Sequence, residues 1–253
     1  MKSCGKIADF IVLEVPCLRD GVADHIYPVV LNDRHERILV DCGYPDSLPL
    51  LEERAFCAGV PLDGLTAVIV THHDYDHYGG LAALKAKYPR VQVLASAEEA
   101  EYIDGRKKSL RLLQAEAAFP ALRPEERDDA IAFQRKLEAV IPVAVDRLLH
   151  DGDRFPWCKG TEIIATPGHM PGHISVYLRH HRTLITGDAL IAIEGRLRIA
   201  NPQYSLDIAT ARRSIAKLAG YDIRHFVCYH GGVVEADLSD KRHRHLTRCE
   251  NRR

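Results

Sequence analysis

Short runs of β-branched and aromatic residues, interrupted by polar positions, open the chain. They predict strands over residues 10–15 and 26–31, with a polar turn around Asp20 and Gly21 between them. A third run, 36–43, ends in Asp41-Cys42-Gly43, so the chain begins as a hairpin or meander. The hydrophobic period then lengthens: between 45 and 59, Leu48, Leu51, Ala55 and Phe56 recur at helical spacing. A strand at 65–71, a helix at 80–88 stopped by Pro89, and a strand at 91–95 follow, in the alternation of a β-α-β unit.

Residues 97–140 nearly lose the β-branched runs and are rich in Ala, Glu, Arg and Lys. Pro124, with Glu125 and Glu126 after it, marks a helix start, because proline suits a first turn and acids complement the helix dipole. Two or three helices are predicted here, as an insertion that either forms an outer layer with a solvated face or shapes a substrate site. Strand patterning returns at 145, with a turn at 151–153 and strands at 161–166, 175–178 and 183–186. An amphipathic helix over 206–218 carries Ile208, Ala211, Ile215 and Leu218 on one face, and a last strand spans 225–229. Strands followed by a helix thus occur twice, compatible with two similar halves.

A chain of 253 residues that is 46% hydrophobic can bury a substantial core. The net charge of −1 gives no electrostatic case for nucleic acid or an anionic membrane. Seven cysteines, an odd number without a Cys-x-x-Cys pair, fit reduced thiols and a cytoplasmic protein. The first residues lack the apolar stretch of a signal peptide, and no uncharged run approaches the roughly 18 residues of a membrane helix. The segment from Asp237 onward is basic and contains His243 and His245, the pattern of a solvated helix end. Fourteen histidines are many for this length and require a reason.

The reason lies in the stretch 68–80. The apolar run Val68-Ile69-Val70 ends in five His and Asp residues within six positions (His72, His73, Asp74, Asp76, His77), and Gly79-Gly80 then releases the chain into a helix. Buried charges are costly unless paired or coordinated to metal, so a buried strand that delivers them to one loop points to a cation. Other strand ends carry potential ligands too: Asp41, His169 in the loop Thr166-Pro-Gly-His-Met-Pro-Gly-His173, Asp188 and His230. Histidine and carboxylate sets with open positions are the usual way to hold a catalytic zinc. Residues two apart on an extended loop point the same way, so His72 and Asp74 can share one ion, while His73 alternates away.

Thr71-His-His-Asp-Tyr-Asp-His77, the Thr-Pro-Gly-His169 loop, Thr186-Gly-Asp188, the late His230 and the early Asp41-Cys-Gly43 resemble, in order, the motifs of the metallo-β-lactamase superfamily. The resemblance implies an α+β fold, an αββα sandwich of two mixed sheets face to face with helices outside. It would form one domain over 1–253, with the helical insertion at about 97–140. It implies two divalent ions, zinc foremost. His72, Asp74 and His169 would hold one; Asp76, His77 and His230 would hold the other; and Asp188 would bridge them. His173 would support the site without ligating. The chain departs from the commoner His-x-His-x-Asp-His pattern at Asp74, where the family usually has histidine. A carboxylate is harder than imidazole and adds negative charge, which favours a less Lewis-acidic first metal and tolerance of manganese or iron.

The activity so implied is metal-dependent hydrolysis by a metal-bridging hydroxide on a small ester, lactone or thioester, with Asp76 as the catalytic proton carrier. No Gly-x-Ser-x-Gly elbow offers a rival nucleophile, and Cys228 reads as a core residue. The lactonases of the superfamily carry Tyr three positions after the bridging Asp, where this chain has Ile191; the segment after the last ligand is short beside that of the glyoxalase-II-like thioesterases. Tyr75 and Tyr204 are more readily packing residues than substitutes for that phenol. The alternative activity is oxidative: a non-haem iron enzyme, persulfide dioxygenase-like or diiron, which the acid at 74 favours. The implied partner is a small-molecule substrate, not nucleic acid or membrane, and a homodimer is compatible with the sequence.

Overall fold

The computed structural model describes residues 9–19, 21–200, 202–238 and 246. The predicted basic segment with His243 and His245 therefore lies almost wholly outside the described residues.

The first predicted strand divides into β1 (Phe10–Val12) and β2 (Val15–Arg19), and the second into β3 (Val22–Ile26) and β4 (Val29–Asn32). Pro28 explains the second division, since it lacks the N–H a continuous ladder would need. β2 and β3 pair as a separate hairpin, while β1 pairs with β4. There follow β5 (Arg37–Val40), α1 (Leu48–Cys57), β6 (Ala67–Ile69), α2 (Tyr75–Tyr78), α3 (Leu81–Lys87) and β7 (Gln92–Ser96). Leu48, Leu51 and Ala55 of α1 are buried as the spacing predicts, but Phe56 is 73% exposed. It lies one helical step round from Ala55, beyond the buried stripe.

The segment 97–140 contains α4 (Ala97–Ile103), α5 (Leu110–Ala118) and α6 (Arg127–Glu138). Ser96 and Ser109 cap the first two by accepting from the Glu99 and Leu112 amides. Pro124–Glu126 forms a 3-10 turn that leads into α6. The chain continues through β8 (Arg147–Leu149), β9 (Arg154–Phe155), β10 (Thr161–Ala165), β11 (Ile174–Leu178), β12 (Thr183–Ile185), β13 (Leu190–Ile193), β14 (Arg196–Ile199), α7 (Ile208–Leu218), β15 (His225–Cys228) and β16 (Gly232–Glu235). The β13–β14 hairpin was not foreseen; its two-residue turn, Glu194-Gly195, has positive φ at both positions.

Two six-stranded mixed sheets result, ordered β1-β4-β5-β6-β7-β8 and β16-β15-β12-β11-β10-β9. Period-two alternation sorts their side chains. Leu31, Ile38, Val40, Ile69 and Leu94 of the first sheet pack against Ile163, Val176, Ile185 and Val227 of the second. Their neighbours point outward. Val30, Leu39, Val68 and Val93 meet α1 and α3 through Leu51, Leu81 and Leu84, while Ile164, Leu184 and Phe226 meet Ile215 and Leu218 of α7. This is the expected αββα sandwich. Each fully buried aliphatic side chain contributes about 1.5–3 kcal/mol, so the three apolar layers dominate the stability.

Candidate metal centre

Five strands end at one edge of the sandwich and hand their following loops to one place: β5 to Asp41, β6 to residues 71–77, β10 to 166–173, β12 to Asp188 and β15 to His230. The strands following this geometry belong to both sheets, and the Ile174 amide donates to the Thr71 carbonyl across them (3.1 Å). Three sets of donor atoms lie within 4.8 Å of one another: His72, Asp74 and His169; His72, His77 and Asp188; and Asp76, His77 and His230. All seven sequence candidates are therefore brought together. Asp188 stands between the outer sets, with Oδ1 3.4 Å from His77 Nε2 and Oδ2 3.6 Å from the Nε2 atoms of His169 and His230. Asp76 Oδ2 is 3.2 Å from His230 Nε2, and its side chain is 16% exposed.

A supporting network fixes the imidazoles. Asp41, in the left-handed region at φ 60°, accepts the Thr71 amide on Oδ1 (2.8 Å), and on Oδ2 the Thr71 hydroxyl (2.8 Å) and His77 Nδ1–H (2.9 Å). Having given its one proton to Asp41, the Thr71 hydroxyl can only accept from His72 Nδ1, 3.0 Å away. Both rings thus carry Nδ1–H and turn Nε2 toward the cluster, the arrangement in which a metal-ligating histidine is oriented by a carboxylate behind it. Asp41, first a candidate ligand, serves instead as that carboxylate. His173 accepts the Asp188 amide on Nε2 (2.9 Å) and contacts the Thr166 hydroxyl through Nδ1 (2.8 Å). Burial pushes its pKa down to about 3, so it is a neutral prop for Asp188. His73 turns away, as predicted, but is buried: it stacks on Tyr102 and pairs with Glu99. Cys228 is buried, as the sequence reading has it.

The charges of the cluster counterbalance one another. Burial alone would raise the Asp74 and Asp188 pKa values. Arg111 and the histidines hold Asp74 well below the usual carboxylate range, and His230 and His77 do the same for Asp188. Burial lowers the His77 pKa, but Asp188, Asp41 and Asp76 outweigh it and raise the value. Burial and the neighbouring His77 keep His72 neutral. Among the described residues, four buried atoms of these side chains have no hydrogen-bond partner: the Nδ1 atoms of His169 and His230, and two that face other members of the cluster, His72 Nε2 (3.5 Å from Asp74 Oδ2) and Asp188 Oδ1 (3.4 Å from His77 Nε2). Imidazole nitrogens and carboxylate oxygens in this mixture suit divalent zinc, manganese or iron, and a cation would satisfy the latter two atoms.

The helical segment supplies two functional residues that the sequence reading missed. Arg111 of α5 is 5% exposed and forks onto Asp74, Nε to Oδ1 at 3.0 Å and Nη2 to Oδ2 at 2.7 Å. Glu99 of α4, fully buried, accepts the His73 amide and the Gly172 amide (2.9 and 2.8 Å), tying the β6 loop to the His169 loop. Neither sits in a motif. The one local signal was an acid placed three residues after Ser96, which reads as helix capping rather than as a tie between loops. Tyr204 offers its carbonyl to Arg111 and lays its ring 5.6 Å from the guanidinium, so it packs against the support of Asp74; Tyr75 makes edge contacts with Tyr44 and Phe133.

A family model described as the metallo-β-lactamase superfamily matches residues 23–230. Among curated proteins, the chain is 29% identical over 221 residues to "Probable metallo-hydrolase YflN" of Bacillus subtilis, covering 79% of this chain and 77% of that one. It is 28% identical over 178 residues to a hydroxyacylglutathione hydrolase of Brucella anthropi, covering 70% of this chain and 52% of the enzyme. The chain spans about half the length of the several hydroxyacylglutathione hydrolases it matches. Among solved structures, a metallo-β-lactamase family protein of Thermus thermophilus superposes with a TM-score of 0.71 at 24% identity, over 94% of this chain and 78% of that one.

Proposed function

The chain belongs to the metallo-β-lactamase superfamily and is a metal-dependent hydrolase of it, and from that premise we propose a dinuclear enzyme acting on a small thioester, ester or lactone. One ion would be held by His72, Asp74 and His169, the other by Asp76, His77 and His230, with Asp188 shared. The observation that carries this reading is the convergence of four imidazoles and three carboxylates at one sheet edge, with His72 Nε2 and Asp188 Oδ1 buried and without a hydrogen-bond partner. Zinc is the first choice of ion, with manganese and iron tolerated by the carboxylate-rich set.

Two such ions, when bound, activate water and polarise the scissile carbonyl. The protein's own contribution is orientation and proton handling. Thr71 and Asp41 hold the His72 and His77 rings, and His173 holds the backbone of Asp188. Asp76 faces both the cluster and solvent, and its carboxylate is assigned the role of accepting a proton from the attacking water and passing it outward. Thioesters head the substrate classes because hydroxyacylglutathione, the substrate in those relatives' name, is one. Only about half of each such enzyme is matched, so its glutathione portion is not carried over. The β13–β14 hairpin presents Ile191 where a lactonase would have Tyr, which places lactones lower. The oxidative alternative is favoured by the acid at 74, whose charge Arg111 pairs, whereas the hydrolase relatives support hydrolysis.

The free thiols of Cys42, Cys57, Cys158 and Cys228 support a reducing, cytoplasmic setting, and no helix among the described residues is long and apolar enough to cross a membrane. Protein purified without added metal should contain close to two ions per chain by elemental analysis, and Asp188→Ala should lose at least one. A full complement of one iron and nothing else would defeat the dinuclear hydrolase. Hydrolysis of a panel of thioesters, esters, lactones and phosphodiesters then ranks the substrate classes.

A further inference from the structure

Arg111 is buried beside the candidate metal centre, with four of its five N–H donors committed. Nε and Nη2 fork onto Asp74, Nη2 also donates to the Tyr204 carbonyl (2.7 Å), and Nη1 donates to Gln114 Oε1 (2.6 Å). A guanidinium so occupied is a fixed charge, not a hand held out to substrate. The carboxylate oxygen it grips most closely, Asp74 Oδ2, is also the one that lies 2.9 Å from His169 Nε2 and 3.5 Å from His72 Nε2. That is the oxygen an ion shared with these histidines would use.

We propose that Arg111 is a positioning residue that makes the two metal positions unequal: by holding Asp74 at both oxygens, it weakens the His72–Asp74–His169 position relative to the Asp76–His77–His230 position. This rests on the dinuclear reading above. The physical reason is twofold. An ion at the weaker position must share the lone pairs of Oδ2 with Nη2, and it must sit close to a buried positive charge in a low-dielectric surrounding. Among the described residues, no Arg or Lys pairs with Asp76, whose near neighbours are His77 and His230. The Asp74–Arg111 pair is together neutral, like the imidazole the superfamily usually carries at this position, so the substitution leaves the total charge of the site unchanged while lowering the donor strength of one ligand.

The test is calorimetric titration of metal-free protein with zinc, and in parallel with manganese, without reference to turnover. Wild type should bind two ions in resolved steps. Arg111→Met should tighten the weaker step on the order of tenfold or more and leave the tighter step nearly unmoved; Arg111→Lys, which keeps the charge and loses the fork, should fall between. Adding His169→Ala to Arg111→Met should abolish the tightened step. Equal affinities in wild type overturn the proposal without any variant, even if Arg111→Met fails to fold. An unchanged or weakened second step in Arg111→Met, or a tightened step that survives His169→Ala, also overturns it. A single ion bound in both wild type and Arg111→Met would instead refute the dinuclear reading on which it stands.

Discussion

At the scale of the residue, the most consequential side chains are not the ligands but those behind them. Asp41 accepts three hydrogen bonds from a left-handed backbone conformation that a non-glycine residue adopts only when its surroundings compel it. Its carboxylate fixes His77 directly and His72 through Thr71. Asp41→Asn keeps the shape but offers an amide where His77 Nδ1–H needs an acceptor, so one of the two contacts at Oδ2 must fail. Metal affinity should drop about 10- to 100-fold, measured by competition with a chromophoric chelator; an unchanged affinity would show that the rings need no such support. The Asp at 74 carries a related lesson. From the sequence it reads as extra negative charge that dulls the first metal. Arg111 supplies the opposite charge, and that contact joins positions 37 apart with no spacing to announce it. The ligands were legible because each follows a strand end in a fixed local motif. Arg111 and Glu99 were not, because in a charged helical stretch nothing local distinguishes an inward-facing charge from a solvated one.

At the scale of the element, legibility followed periodicity. Strands buried on both faces, such as β6 and β11, and the amphipathic α7 stood out by their apolar period. The β13–β14 hairpin did not, because its Glu-Gly turn lacks the Asn-Gly or Asp-Gly signature, and the exposed Arg196 and Arg198 dilute its second strand. The helical segment 97–140 proves more than an outer layer, since α4 and α5 each send one buried charge to the ligand loops. α7 is anchored differently, by a surface link. Asp151 accepts from Lys217 of α7 (2.7 Å) and from the Ala165 amide at the end of β10 (2.8 Å). Burial would raise the Asp151 pKa, but these partners lower it below the ordinary 3.8. A depressed folded-state pKa gives stability that is present above the unfolded value and lost as pH falls through the folded one. Denaturant melts should therefore show wild type above Asp151→Asn by no more than about 1 kcal/mol at neutral pH, because the pair is half exposed and screened. That gap should close as the pH drops below about 4. A gap that persists at pH 2 would assign it to packing rather than to charge.

At the scale of the whole molecule, the centre joins two sheets whose facing layer is apolar. The β6 loop belongs to the first sheet, whereas His169, Asp188 and His230 follow strands of the second. Each proposed triad therefore draws ligands from both: His72 and Asp74 with His169, and Asp76 and His77 with His230. Ions held this way would staple the sandwich at one edge, while the inter-sheet layer around Ile38, Leu94, Ile163 and Val176 is sealed by burial alone. An ion that binds only the folded state stabilises it by about 2.7 kcal/mol at a free concentration a hundredfold above Kd. Removal should cost about that much globally for each ion, but its local effect should be uneven, because the carboxylates left behind repel one another across the gap between loops. Chelation should lower the Tm and accelerate hydrogen exchange at amides of residues 71–78, 166–173, 187–190 and 229–232. Amides of β5 and β11 should retain protection close to that of the loaded protein until global unfolding. Uniform acceleration through both sheets would mean that the ions support the entire core, and no acceleration at the edge would mean that the loops hold their shape without them.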